Sequence, residues 1–194
     1  MSLTAAFFRR GAEAVARDLL GCVVVMADGT SGRVVETEAY LGIGDPASHA
    51  WGGRRSAANA SIYAPPGHWY VYRSYGIHWC ANLTCGPAGE GHAVLLRALA
   101  PVSGLEAMRA RRPGVPDHRL AAGPGCLTRA LGLSRAHDAM PRGPAADVRL
   151  DDDGPVTAIV TGPRIGISRA ADWPLRFGVR GAQALSRPFP RAAG

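Results

Sequence analysis

At 194 residues the chain is long enough for one domain with a sizeable core, and its 47% hydrophobic share is that of an ordinary globular protein. No apolar run reaches the length of a membrane span, and the opening stretch lacks the basic-then-apolar order of a signal peptide, so a cytoplasmic protein is expected. A formal charge of +7 points to an acidic partner, nucleic acid before anionic membrane, and because all 22 basic residues are arginine a lysine imine is excluded.

In chain order, an amphipathic helix is expected near residues 11 to 20, stopped by Gly21. "CVVVM", the turn "ADGT" and "GRVVETEAYL" read as a hairpin. Alternation along the second strand groups Val34, Glu36, Glu38 and Tyr40 on one face, and Val35, Thr37, Ala39 and Leu41 on the other. Residues 42–68 form a long Gly-, Pro-, Ser- and Ala-rich stretch carrying His49, Trp51, Arg54 and Arg55, which favours a functional loop. "WYVYRSYGIHWCANLTC" reads as two aromatic-rich strands whose connection places Tyr75 at a hairpin tip.

"HAVLLRALAP" is a further strand, apolar except for Arg97. "SGLEAMRARR" suggests a helix capped by Ser103, and "GPGCLTRALGL" another short helix. "DVRL", an Asp-rich turn and "PVTAIVTG" read as a late hairpin, and the last residues, about 186–194, as a loose tail. Hairpins alternating with short helices indicate a single α+β domain over 1–194 with a mainly antiparallel sheet. Cys22, Cys80, Cys85 and Cys126 form no Cys-x-x-Cys pair, and the six histidines form no His-Glu-x-x-His helix, so no metal enzyme is indicated.

Two constellations carry candidate chemistry. Arg97, unable to lose its proton inside an apolar strand, needs a carboxylate, and Glu36 and Glu38 are the candidates. Such a pair either fixes register or holds a carboxylate ionised to take a proton from water. The second is aromatic, with Tyr40, Trp51, Tyr63, Trp69, Tyr70, Tyr72, Tyr75 and Trp79 interleaved with Arg54, Arg55 and Arg73, which suggests base stacking beside phosphate contacts. "GIGDPA" only mimics a dinucleotide fingerprint, since Pro46 interrupts it and no βαβ unit surrounds it.

The ordered stretches "VETEAYLG", "DPASHAWGG", "YVYRSYGIHWCANL", "AVLLRALAP", "AAGPGCLTRALG" and "PLRFGVRG" resemble the alkyladenine (3-methyladenine, methylpurine) DNA glycosylases over nearly the whole chain. The resemblance implies a curved antiparallel sheet with flanking short helices and a protruding hairpin. It also implies a monomeric, cofactor-free, monofunctional base-excision repair enzyme, chromosome-associated in a prokaryote and nuclear in a eukaryote. Its partner would be duplex DNA containing alkylated or deaminated purines, hypoxanthine among them, and it would leave an abasic site without lyase activity. On this resemblance Glu38 matches the general base and Arg97 its orienting partner. Tyr40, His49 and Tyr72 match the residues that sandwich the flipped base, and Asn82 the residue that disfavours guanine. Tyr75 matches the wedge that enters the duplex, and Ile167 a carbonyl that helps hold the water.

Arg54, Arg55, Ser56 and Arg73 fall on the expected DNA-backbone face. The chain departs from the family pattern there, with Gly125 and Cys126 where a hydroxyl residue and a lysine are common, and Ala58 where an arginine is. Two rival readings stay open: a non-catalytic nucleic-acid-binding module, and a hydrolase of another glycoside using Glu36 and Glu38 as a carboxylate pair.

Overall fold

The structure is a computed structural model that describes residues 3–142 and 147–190. Among these, four short helices are present: α1 (Ala5–Phe8), α2 (Ala12–Asp18), α3 (Leu105–Arg111) and α4 (Pro124–Leu131). Eight strands form one antiparallel sheet, β1 (Val23–Met26), β2 (Ser31–Leu41), β3 (Trp69–Ser74), β4 (His78–Cys85), β5 (His92–Ser103), β6 (Val148–Asp151), β7 (Ile159–Gly162) and β8 (Arg176–Val179). The α+β class with antiparallel pairing is therefore as expected.

The strand order is β3-β4-β5-β2-β1-β6, with β8 joined to both β2 and β7. β2 is the axis. One of its edges pairs with β5 from Ser31 to Leu41, while the other is divided between β1 at Ser31–Arg33 and β8 at Glu36–Glu38. Three single-residue shifts interrupt the β2–β5 ladder, the first skipping Val102 between the Ser31–Ser103 and Gly32–Pro101 pairs. Val35 is skipped between the Val34–Leu99 and Glu36–Ala98 pairs, and Arg97 between Ala98 and Leu96.

The bulge at Val35 overturns part of the expected alternation. Val34 joins Ala39 in the core on the helix side, whereas Val35 packs with Ala98 and Ala184 on the opposite side. From Glu36 onward the alternation holds. The Thr37 hydroxyl donates to the Ala16 carbonyl of α2 at 2.8 Å, and Glu36 and Glu38 turn away from the helices to meet Arg97.

The apolar core lies between the helices and one face of the sheet, where Phe8, Val15, Leu19, Trp69, Leu96 and Leu127 are fully buried. In α2 the buried positions Ala12, Val15 and Ala16 recur at helical spacing, with Glu13 and Arg17 paired one turn apart outside. Helix α4 starts with Pro124 in its first turn and stops at Gly132, which is left-handed at φ 77°. The Thr128 hydroxyl donates to the Trp79 carbonyl at 2.9 Å, fastening α4 under β4.

Three expectations are corrected. Ser103 does not cap α3; its hydroxyl donates to the Gly29 carbonyl at 2.7 Å, and the helix starts from Gly104 at φ 71°. A Cβ at Gly104 would stand 2.7 Å from the Thr30 Cα, so a glycine is needed there for both space and conformation. The late hairpin does not form, because β6 pairs with the free edge of β1 and β7 with β8. The expected loose tail from 186 is fastened as far as 190: the Ser186 N–H donates to Glu36, and the Arg176 guanidinium lies 3.8 Å from the Phe189 ring centre. Residues 191–194 of that tail lie outside the described residues.

Candidate active site

On the face of the sheet away from the helices, β2, β3, β4 and β5 present their side chains to a cavity of about 650 Å³. Tyr40, His49, Tyr70, Tyr72, Asn82 and Arg97 are among its walls. Six residues thus come together from four strands and the 42–68 loop, five of them site candidates from the sequence.

Glu38 lies just beneath this cavity at 0% exposure, touching three groups that line it. The Arg97 Nη1 stands 3.2 Å from Oε1, the Ile165 N–H donates to Oε1 at 2.7 Å, and the Tyr40 hydroxyl donates to Oε2 at 3.0 Å. Burial is the largest influence and raises the Glu38 pKa above that of a free glutamate. Arg97, the Ile165 N–H and the Tyr40 hydroxyl pull it down without cancelling the burial, and the charge on Glu36 adds to the rise. Among the described residues Tyr40 is the one hydrogen-bond donor on Oε2, so this oxygen keeps a lone pair for a further proton.

Glu36, two residues away and equally buried, is held by more donors. Its Oε1 accepts from the Arg97 Nε at 2.9 Å, the Arg176 Nε at 2.7 Å and the Ser186 hydroxyl at 2.7 Å, and its Oε2 accepts from the Ser186 N–H at 2.6 Å. These bonds reach the cavity lining only through Arg97 and otherwise turn Glu36 toward Arg176 and residue 186, which counts against the paired-carboxylate glycosidase.

The aromatic wall is built by the β3 strand and the loop. Tyr70 and Tyr72 stack with ring centres 5.2 Å apart, and His49 meets Tyr72 edge-on at 4.5 Å. The His49 Nδ1 is 2.6 Å from the Tyr70 hydroxyl, and desolvation by this packing lowers its pKa, favouring a neutral ring. Burial likewise raises the pKa of Tyr40 and Tyr72, so both phenols stay protonated. The Asn82 amide donates to the Tyr70 carbonyl at 3.0 Å, which fixes its orientation at the cavity wall.

Loop 42–68 is ordered by its own polar residues. The buried Asn59 amide donates to the carbonyls of His49 and Arg54 at 2.9 and 3.0 Å, while its oxygen accepts from the Ser56 N–H and hydroxyl. Asp45 accepts from the Leu41 and Ala47 N–H groups and forms a fully buried pair with Arg164, whose guanidinium also lies 4.7 Å from the Tyr40 ring centre. Burial pushes the Asp45 carboxyl up, but Arg164 and the two N–H groups outweigh it and hold the pKa below the ordinary aspartate value.

At the rim, Arg54 and Arg169 lie 5.0 and 4.5 Å from the Trp51 ring centre, and Arg55 lies 3.8 Å from that of Tyr63. With Arg73 these exposed guanidiniums have no carboxylate partner among the described residues. A second, more open hollow of about 930 Å³ runs beside the first, walled by Arg54, Arg55, Ser56, Arg73 and Arg135. Tyr75 stands clear of both walls of β3–β4, 88% exposed, in a turn closed by the Ile77 N–H on the Ser74 carbonyl. Its φ of 49° is left-handed, as is that of Gly76 at 67°.

Ile167 lines the cavity, but it is Ile165, two residues earlier, whose N–H reaches Glu38. A backbone donor leaves no trace in side-chain chemistry, so sequence reasoning had no route to it. Arg164, Arg176 and Ser186 were also missed. Arg176, a charge inside "PLRFGV", carries the same signal that singled out Arg97. Gly125 lies under His78, where a Cβ would stand 2.8 Å from the histidine Cβ, so the glycine makes room for that side chain.

The chain is also similar to known proteins. Residues 6–183 match the family model described as methylpurine-DNA glycosylase. A protein of Rhodopseudomonas palustris (strain HaA2), named "Putative 3-methyladenine DNA glycosylase", is 49% identical over 187 residues, covering 94% of this chain and 89% of its own length. Proteins with the same name from Burkholderia cenocepacia (strain HI2424) and Bradyrhizobium diazoefficiens are 47% and 46% identical, over 96% and 97% of this chain and 91% and 92% of theirs.

Proposed function

The chain belongs to the methylpurine-DNA glycosylase family, and on that footing we propose that Glu38 is the general base with which it hydrolyses the N-glycosidic bond of a damaged purine flipped out of duplex DNA. The family assigns DNA repair by base excision. The observation that carries the proposal is the second oxygen of a buried, arginine-held carboxylate, free to accept a proton next to an aromatic cavity large enough to admit a purine.

In this reading the flipped base enters between Tyr40, His49 and Tyr72. A cationic alkylated purine is favoured there because electron-rich rings attract it, and it departs without an acid. Water attacks the sugar carbon while Glu38 takes its proton, and the carboxylate charge steadies the oxocarbenium-like transition state. Deaminated bases such as hypoxanthine are neutral and leave less readily, so the neutral His49 and the fixed Asn82 amide set which of them are accepted. Asn82 disfavours guanine by opposing its exocyclic amino group.

Tyr75 fills the gap left in the duplex, which offsets part of the few kcal/mol of unstacking. Arg54, Arg55, Ser56 and Arg73 face the phosphates, and the lack of a carboxylate partner for the three arginines among the described residues supports that role. Ile167 keeps a place beside the attacking water. With no lysine in the chain a lysine imine is excluded, and hydrolysis by water to an abasic site is the expected outcome.

The test is single-turnover release of 3-methyladenine or hypoxanthine from labelled duplex by wild type and Glu38→Gln. A fall of about 10²–10⁴-fold is expected. Excision by Glu38→Gln at the wild-type rate would remove Glu38 from the mechanism. Binding of damaged duplex without any release by wild type would favour the non-catalytic binding module instead.

A further inference from the structure

Arg97 is shared between two carboxylates, and the structure shows how that competition is settled. Its Nε donates to Glu36 at 2.9 Å, its Nη1 faces Glu38 at 3.2 Å, and its Nη2 donates to the Ser186 hydroxyl at 3.3 Å. Ser186 in turn gives both its hydroxyl and its N–H to Glu36. Arg176 gives Glu36 a counter-ion of its own at 2.7 Å, which leaves part of the Arg97 charge for Glu38.

Ser186 is itself fastened from both sides. Ala184 is buried against Val35 and Ala98, and the Leu185 carbonyl accepts from Arg119 at 2.9 Å. The Arg187 carbonyl accepts from Arg176 at 2.5 Å, and Phe189 lies over Gly178, where a Cβ would stand 2.5 Å from the ring. Residues 184–189 thus form a strap across β2 and β8, and it begins just past the 6–183 stretch that matches the family.

We propose that this C-terminal strap is part of the reaction centre's framework, with Ser186 as a positioning residue that satisfies Glu36 and so keeps the Arg97 guanidinium on Glu38. The inference rests on Glu38 being the base. Without the Ser186 hydroxyl, Glu36 draws more strongly on Arg97, and Glu38 loses compensation for its burial. Its proton affinity then rises. Glu36, which also acts on Glu38, loses that hydrogen bond, while the remaining groups (Tyr40 on β2, Tyr72 on β3, Cys80 on β4 and the Ile165 N–H) make no contact with Ser186.

The experiment uses the full chain and measures single-turnover base release from damaged duplex against pH for wild type, Ser186→Ala and Ser186→Thr. Ser186→Ala is expected to slow release at neutral pH about tenfold, the loss of one charge-assisted hydrogen bond. Its duplex affinity should be unchanged and its acid limb displaced to higher pH. Ser186→Thr, which keeps the hydroxyl, restores both. A strap that only stabilises the fold would lower the active fraction and leave the acid limb in place, which overturns the proposal, as does failure of rescue by threonine. Should Ser186→Ala not fold, Ser186→Cys, with a weaker donor, must show the displaced limb, and a wild-type limb there overturns the proposal equally. Glu38→Gln in the same assay separates the two levels. An active Glu38→Gln removes the base assignment and this inference together, whereas an inactive Glu38→Gln beside a wild-type-like Ser186→Ala removes only the role of the strap.

Discussion

On the helix side of the sheet, Val34, Ala39, Leu96 and Leu99 meet Val15, Leu19 and Leu127 with full burial and no charge. On the opposite side of the same two strands, Glu36, Glu38 and Arg97 are just as deeply buried, with Arg176 beside them from β8. The first side is held by apolar area, each large side chain contributing about 1.5–3 kcal/mol. The second takes four ionised groups out of water, at a desolvation cost that their mutual attraction at best balances. A fold in search of stability alone would fill the second side with leucine. What the difference teaches is that equal burial has two meanings, apolar packing on one face and a charge network beside the cavity on the other, and that the pattern of partners tells them apart.

That contrast is broken most severely by removing one member of a buried pair. Asp45→Ala strands Arg164 beside Tyr40, and an unfolding titration should show a loss of about 3–5 kcal/mol. The pH dependence has a definite sign. The Asp45 pKa is depressed in the folded state, so its contribution is present above the unfolded aspartate value and is lost as pH falls through the folded one. Asp45→Ala should therefore flatten the acid side of the stability curve.

Next in size is Leu96→Ala on the apolar face, expected to cost about 2–5 kcal/mol in denaturant unfolding while leaving the single-turnover rate of the folded fraction unchanged. A large fall in that rate would mean that the two faces are mechanically coupled and would weaken the comparison.

Glu38 behaves oppositely to Asp45. Its folded pKa is raised, so it favours the fold below the unfolded glutamate value, and that contribution is lost as pH rises through the folded value. Glu38→Gln should accordingly melt at or above the wild-type temperature at neutral pH while being inactive. A clear drop in melting temperature would place Glu38 among the structural ion pairs instead. For wild type, the same raised pKa puts the acid limb of the rate profile above the ordinary glutamate range.

The smallest effect is at the hairpin tip. Tyr75 holds a left-handed backbone with 88% of its surface in water, so Tyr75→Gly should stabilise the protein by about 1 kcal/mol through relief of strain. The same variant should lose excision from duplex more than from single-stranded substrate. Equal losses on both would deny the wedge.

Much of this was legible in the chain itself. Helix α2, the β1–β2 hairpin, the aromatic hairpin with Tyr75 at its turn and the α+β class follow from period, turn residues and breakers, which are local. Arg97 and the glutamates announced each other, because an arginine in an apolar strand has to find a carboxylate. The bulges at Val35 and Arg97 did not announce themselves, since two extra residues that offset each other leave the overall pattern nearly intact. Nor did the pairing of β6 with β1, which depends on which strand edge is free once the others have assembled. The sequence alone determined which residues could carry charge and which had to be covered. The division of labour between Glu36 and Glu38 was decided by tertiary structure, through an N–H at Ile165 and a serine at 186, because partners 127 and 150 residues away meet a carboxylate only when the chain has folded.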